Sequence, residues 1–139
     1  MTKEEEITKN LSLIEYYKEQ LNSVDIQTQY MLAALTDYHK AKLTIEQLHN
    51  TDENSDILIP VGGGAFINGS IKNVSNVLVD IGAGLVAEKT IDDALKKIDE
   101  RIKSLQENQE RLLSMAQKLQ EDGAELSKKT QELMEETRE

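Results

Sequence analysis

Residues 57–71 read ILIPVGGGAFINGSI. Gly62, Gly63 and Gly64 stand together between two runs of β-branched and apolar residues. A second stretch of the same kind follows at 76–90, NVLVDIGAGLVAEKT, turning on Gly82-Ala83-Gly84. Glycine reaches positive φ without steric cost, so each triplet reads as the turn of a strand–turn–strand unit. Side chains alternate along a strand, which puts Ile57, Ile59 and Val61 on one face of the first unit. Val77, Val79 and Ile81 share a face of the second in the same way. Leu58, Leu78 and Val86 load the alternate faces, and Phe66, Ile67, Ile71 and Leu85 complete the apolar set. Pro60 has no N–H for a ladder, so the first strand reads as an edge or as only partly paired.

The glycines do not read as a nucleotide site. A phosphate loop needs G-x-x-x-x-G-K-[ST], and no lysine follows Gly64 at that spacing. A dinucleotide fingerprint needs a helix after the glycines, where a second strand is expected instead.

On both sides the sequence changes character. Residues 2–49 contain no Gly or Pro and read as one helix, with Thr2 and Glu5 at capping-box spacing. The apolar stripe runs Ile7, Leu11, Ile14, Tyr17, Leu21, Val24, Thr28, Met31, Leu35, Tyr38, Lys42, Ile45. Its steps alternate between four and three residues, with one three-residue fault near Tyr17. Residues 50–56, NTDENSD, are a polar break, since these side chains compete with helical hydrogen bonds. Residues 91–139 read as a second helix, capped by Thr90 with Asp93 in the first turn. Its stripe keeps the four-three rhythm throughout. One column is leucine at 105, 112, 119, 126 and 133; the other is Gln109, Ala116, Gly123 and Thr130.

Two hairpins between two long helices return the chain, so an antiparallel coiled coil within one chain is expected. Facing residues should then have numbers adding to about 141, bringing Tyr17 to Gly123, Val24 to Ala116 and Leu21 to Leu119. A parallel dimer through the leucine column of the second helix is the alternative pairing.

The bulk chemistry excludes several functions. With 16 basic and 26 acidic residues the formal charge is −10, a poor match for nucleic acid or an anionic membrane surface. No cysteine is present, so disulfides and thiolate metal sites are excluded. His39 and His49 lack the spacing of a metal pair, and no nucleophile-elbow pattern occurs. The expectation is a protein without catalysis or cofactor. MTKEEEITKN is too polar for a secretory signal, and no apolar run is long enough to span a bilayer, so a cytoplasmic location is expected.

Isolated hairpins are marginal in water and open strand edges invite pairing. The apolar residues of 57–90 therefore read as an oligomerisation surface, completed by the same region of other chains.

The order helix, two hairpins, helix, carried by ILIPVGGGAFINGSI and then NVLVDIGAGLVAEKTIDDA, resembles the α-type subunits of the prefoldin family across the whole chain. The resemblance implies one prefoldin-like domain over 1–139 and a mainly α fold, whose hairpins assemble into an intersubunit β-barrel. It implies a hexamer of two α and four β subunits with coiled coils hanging as tentacles. It also implies ATP-independent capture of unfolded polypeptides at the tentacle ends and delivery to a group II chaperonin. On this reading the tips carry Ile7, Leu11, Leu13, Ile14, Tyr16 and Tyr17, with Leu126, Leu133 and Met134 opposite. Leu13, Tyr16 and Met134 lie off the stripe and are free for client contact, whereas the others also have a zipping role. The alternative is a coiled-coil scaffold or adaptor subunit without chaperone activity.

Overall fold

The computed structural model describes residues 2–138. Helix α1 spans Lys3–Gln47 and gives way to a 3-10 turn at Leu48–Asn50. Four strands follow, β1 Asp56–Gly62, β2 Ala65–Ser70, β3 Asn76–Gly82 and β4 Leu85–Thr90, and helix α2 spans Ile91–Arg138. The expected last residue of the second helix, Glu139, and the first of the expected domain, Met1, lie outside the described residues.

Both helices begin at the expected caps. The Thr2 hydroxyl accepts from the Glu5 amide at 3.2 Å, and the Thr90 hydroxyl accepts from the Asp93 amide at 3.2 Å. Glu4, Glu5 and Glu6 in one first turn, and Asp92 and Asp93 in the other, lie against the positive ends of the helix dipoles. Helix α1 stops short of the expected residue 49. Thr51 closes its end, donating its hydroxyl to the Gln47 carbonyl at 2.7 Å and its amide to Leu48 at 3.2 Å.

The chain divides into two compact units. The first comprises residues 2–34 and 105–138. Here α1 and α2 run antiparallel: Lys3 pairs with Glu136 at 3.0 Å, and the Tyr17 Cβ lies 3.8 Å from the position of a side chain at Gly123. The numbers of Tyr17 and Gly123 add to 140, close to the expected register. Val24, Met31 and Leu112 form a buried cluster, with Leu105, Ala116 and Leu119 packed against it. Leu21 and Thr28 line a groove beside that cluster, with Gln109, Leu112 and Ala116.

One position of the expected stripe is corrected. Leu11 is 46 % exposed, whereas Asn10 is buried. With Asn10 in the seam the positions run 7, 10, 14, 17, 21, 24, 28 and 31, and the steps alternate three and four without interruption. The expected fault near Tyr17 does not exist. It arises from choosing the more apolar of two neighbours, where the regular heptad places the polar one. Asn10 and Thr130, both buried, stand opposite each other in the register of Tyr17 and Gly123.

The second unit spans Leu35–Ser104. Its buried residues are Leu35, Ile91, Ala94, Ile98 and Ile102. Lys42, a polar residue in the expected stripe, reaches Asp99 at 2.8 Å, and His49 reaches Asp92 at 3.5 Å. Both pairs fit the expected register. The hydrogen bond and the charge of Asp99 raise the pKa of Lys42 above 10.5.

The four strands form two separate antiparallel ladders, β1–β2 and β3–β4, so every described strand keeps an open edge. Ile59 lies across from Ile67 and Leu58 across from Asn68; in the second hairpin Val79 faces Ala87 and Leu78 faces Glu88. The hairpins are near repeats. Each loses register one residue before its first turn glycine, between Pro60 and Gly62 and between Asp80 and Gly82. That irregularity ends the strict alternation at Val61 and Ile81, so the expected single-face grouping holds for Ile57 with Ile59 and for Val77 with Val79.

Candidate functional site

The hairpins and the coil end both carry apolar side chains that their own unit leaves exposed. The first surface is the pair of hairpins. In both turns the two central residues have positive φ: 60° and 76° at Gly63 and Gly64, 51° and 74° at Ala83 and Gly84. This is the type I′ geometry whose twist matches that of paired strands. Gly62 and Gly82 precede the turns at 100° and 114°, so the glycines at 62, 63, 64, 82 and 84 all occupy left-handed backbone. Asp80, a polar residue in an apolar strand, uses its carboxylate to accept from the Gly82 amide at 2.8 Å. It closes the turn from the side.

Leu58, Val61, Phe66 and Ile67 are exposed in the first hairpin, and Leu78, Ile81, Leu85 and Val86 in the second. Leu78 is the most open of them at 74 %. Ile59 is also exposed, whereas Ile57, Ile71, Val77 and Val79 are half-buried. Ile71 lies just past β2; its amide and carbonyl tie to Ser55 and Asn54 and extend the ladder by one residue. Gly69 has a packing reason: Ile59 lies over it, its Cδ1 2.7 Å from where a Cβ would stand.

The second surface is the end of the coil in the first unit. Tyr16, Leu11, Leu13 and Met134 are exposed there. Ile7, Ile14, Tyr17, Leu126 and Leu133 are half-buried in the seam. The rings of Tyr16 and Tyr17 are 6.0 Å apart and tilted, one turned out and one turned in. Off-stripe residues are thus the open ones, with Leu11 joining Leu13, Tyr16 and Met134. Leu126 and Tyr17 share a small depression with Leu13, Asp122, Glu125 and Lys129.

Other exposed apolar side chains stand on the helices without having been singled out by the sequence: Ile26, Tyr30, Leu32, Leu43, Leu113 and Met115. Their signal is a position off the heptad stripe. Among the described residues no group of His, Asp and Glu has the arrangement of a metal site. Among those residues no helix is long and apolar enough to cross a membrane.

Comparison with known proteins decides the family. The profile described as "Prefoldin subunit" matches residues 17–136. The chain belongs to the prefoldin family.

Among curated prefoldins, the α subunit of Methanosarcina barkeri is 31 % identical over 96 residues, covering 67 % of each chain. "Prefoldin subunit alpha 1" of Thermococcus kodakarensis is 35 % identical over 60 residues, 43 % of this chain and 41 % of that one. Human prefoldin subunit 5 is 29 % identical over 92 residues, 61 % of this chain and 58 % of the human one. The matched stretches thus span 41 % to 67 % of these relatives' lengths. Among solved structures, a filamentous prefoldin of Methanocaldococcus jannaschii superposes with a TM-score of 0.60 at 25 % identity, covering 88 % of this chain and 96 % of that one. The prefoldin β subunit of Thermococcus strain KS-1 shares the fold, with a TM-score of 0.59 at 22 % identity over 91 % and 90 % of the two chains. Family membership places the chain among chaperone subunits rather than enzymes.

Proposed function

We propose that this prefoldin-family chain is an α-type subunit of an ATP-independent holdase. Its hairpins join those of β-type subunits in a hexamer of two α and four β chains. Its coil end captures unfolded polypeptides and hands them to a group II chaperonin. The observation that carries this reading is the apolar load of the hairpins: Leu58, Phe66, Leu78, Leu85 and Val86 are all exposed on two-stranded ladders with free edges. Such ladders are marginal alone and aggregate unless partnered. Burying them between chains removes both liabilities and leaves the helices outside the joint.

Client capture then falls to Leu11, Leu13, Tyr16 and Met134, backed by the seam residues Ile7, Ile14, Tyr17, Leu126 and Leu133. Each contact is small, so holding rests on several coil ends acting on one client, which raises effective concentration. Partner subunits, client and chaperonin supply all the chemistry; no nucleotide or cofactor enters the cycle. The compartment on this reading is the cytoplasm.

The test has two readouts. Native mass after mixing with a β-type subunit gives the stoichiometry, expected at two to four. Light scattering of a denatured client gives holdase activity, expected without nucleotide and weakened when residues 2–13 and 127–138 are removed. A stable complex that never delays aggregation would instead support a scaffold or adaptor.

A further inference from the structure

Beside the buried cluster of the first unit lies a groove of about 670 Å³, open along one side. That volume falls within the range of about 300–1,000 Å³ typical of small-ligand pockets, so it has room for an apolar side chain with its flanking backbone. Its origin is compositional. Thr28, Gln109 and Ala116 stand in seam positions where a bulkier aliphatic residue would fill the space. The apolar wall includes Leu113, which is 60 % exposed and off the seam. Two carboxylates, Asp25 and Glu110, belong to the lining, and no lysine or arginine does. Asp25 is held by the Gln29 amide at 3.1 Å. The groove is remote from the coil end: from Ala116 to Arg138 the helix rises about 33 Å at roughly 1.5 Å per residue.

We infer that this groove is a second polypeptide-binding site, selecting an apolar side chain flanked by lysine or arginine in an extended segment of client. The apolar wall takes the aliphatic or aromatic group, and the two carboxylates take the neighbouring cations. Charge is what selects this occupant. A segment with acidic flanks meets Asp25 and Glu110 and a chain of formal charge −10, whereas a basic one is drawn to all three. The inference rests on the holdase reading and adds a sequence preference to it. The coil end gathers apolar chain generally, and the groove retains basic-apolar segments.

The test uses the full-length chain assembled with its β-type partner and a short unstructured peptide alternating leucine and arginine. Binding is followed by fluorescence anisotropy and by the methyl NMR signals of Leu113 and Ala116. The leucine–arginine peptide should bind and shift both methyl signals, and a leucine–glutamate peptide should do neither. The double variant Asp25→Asn with Glu110→Gln should weaken binding about tenfold, the effect of losing two partly exposed charge pairs. Leu113→Ala should weaken it further without altering the native mass. Equal binding of the two peptides, shifts confined to Leu13 and Met134, or no binding at all would overturn the inference. Deleting residues 2–13 and 127–138 separates this site from its parent reading: groove shifts should persist, while any loss of aggregation suppression reports on the coil end alone.

Discussion

Tyr17 rests against the bare backbone of Gly123, its Cβ 3.8 Å from the place a side chain would start. The packing does not require glycine at this position of the helix. The contact distance is an ordinary one, so a methyl group fits beneath the ring. Gly123→Ala should therefore stabilise the coil by about 0.5–1 kcal/mol, the helix-propensity difference between the two residues. A larger residue has no room: Gly123→Leu should expel Tyr17 and destabilise. Thermal unfolding followed by circular dichroism checks both signs.

The two hairpin turns have one backbone in common and differ in one residue. Gly63 and Ala83 occupy the same left-handed position, at φ 60° and 51°. An L-residue with a Cβ pays roughly 1–2 kcal/mol there. Ala83→Gly should recover about 1 kcal/mol, less a few tenths lost to the freer unfolded chain. Gly63→Ala should cost a similar amount. A denaturant titration of the assembled protein reads both, with the midpoint moving and the slope unchanged.

Assembly can be separated from folding because the hairpin side chains are open in the isolated chain. Leu78→Asp places a carboxylate at a position 74 % exposed, so helicity should not change. In an assembly that covers this face the same carboxylate loses its water, at a cost of several kcal/mol. The native mass should collapse to that of unassembled chain. Leu43→Asp, at a position 61 % exposed on helix α1, is the control and should assemble normally. Equal masses for the two variants would remove the hairpins from the joint.

Much of this architecture was legible in residue spacing. Helix starts followed from Thr2 and Thr90, whose hydroxyls cap as their positions imply. The strand–turn–strand units followed from the glycine-bearing triplets at 62–64 and 82–84 between β-branched runs. Facing pairs followed from the break between the helices, which fixes the register of Lys42 with Asp99 and His49 with Asp92. What spacing could not give was the identity of a seam residue where hydrophobicity and periodicity disagree. At Asn10 and Leu11 the periodicity decides. Nor could it give the reason for Asp80, whose carboxylate serves a backbone amide two residues away. The groove was hidden for a related reason. Thr28, Gln109 and Ala116 look like weak seam positions singly, and only their adjacency across two helices makes a cavity.

Asn10 and Thr130 turn the coil end into a testable hinge. Both are buried, at 8 % and 2 % exposure, and Thr130 satisfies its hydroxyl by donating to the Leu126 carbonyl at 2.7 Å. A polar layer in a coiled-coil seam fixes register at the expense of stability. Beyond this one lie Ile7 and Leu133, half-buried seam residues within about one and a half turns of the helix end. With a weak layer behind them, they should open more readily than the seam residues near Val24. Asn10→Leu with Thr130→Val converts the layer to an apolar one and should stabilise the coil by about 1–3 kcal/mol, the burial of one aliphatic side chain and one methyl group. Amide exchange over residues 131–138 should slow in proportion. If opening exposes Ile7 and Leu133 to client, the same variant should suppress aggregation less well although it is the more stable protein. Slower exchange with undiminished holdase activity would show that capture uses only Leu11, Leu13, Tyr16 and Met134, which stand outside the seam in either state.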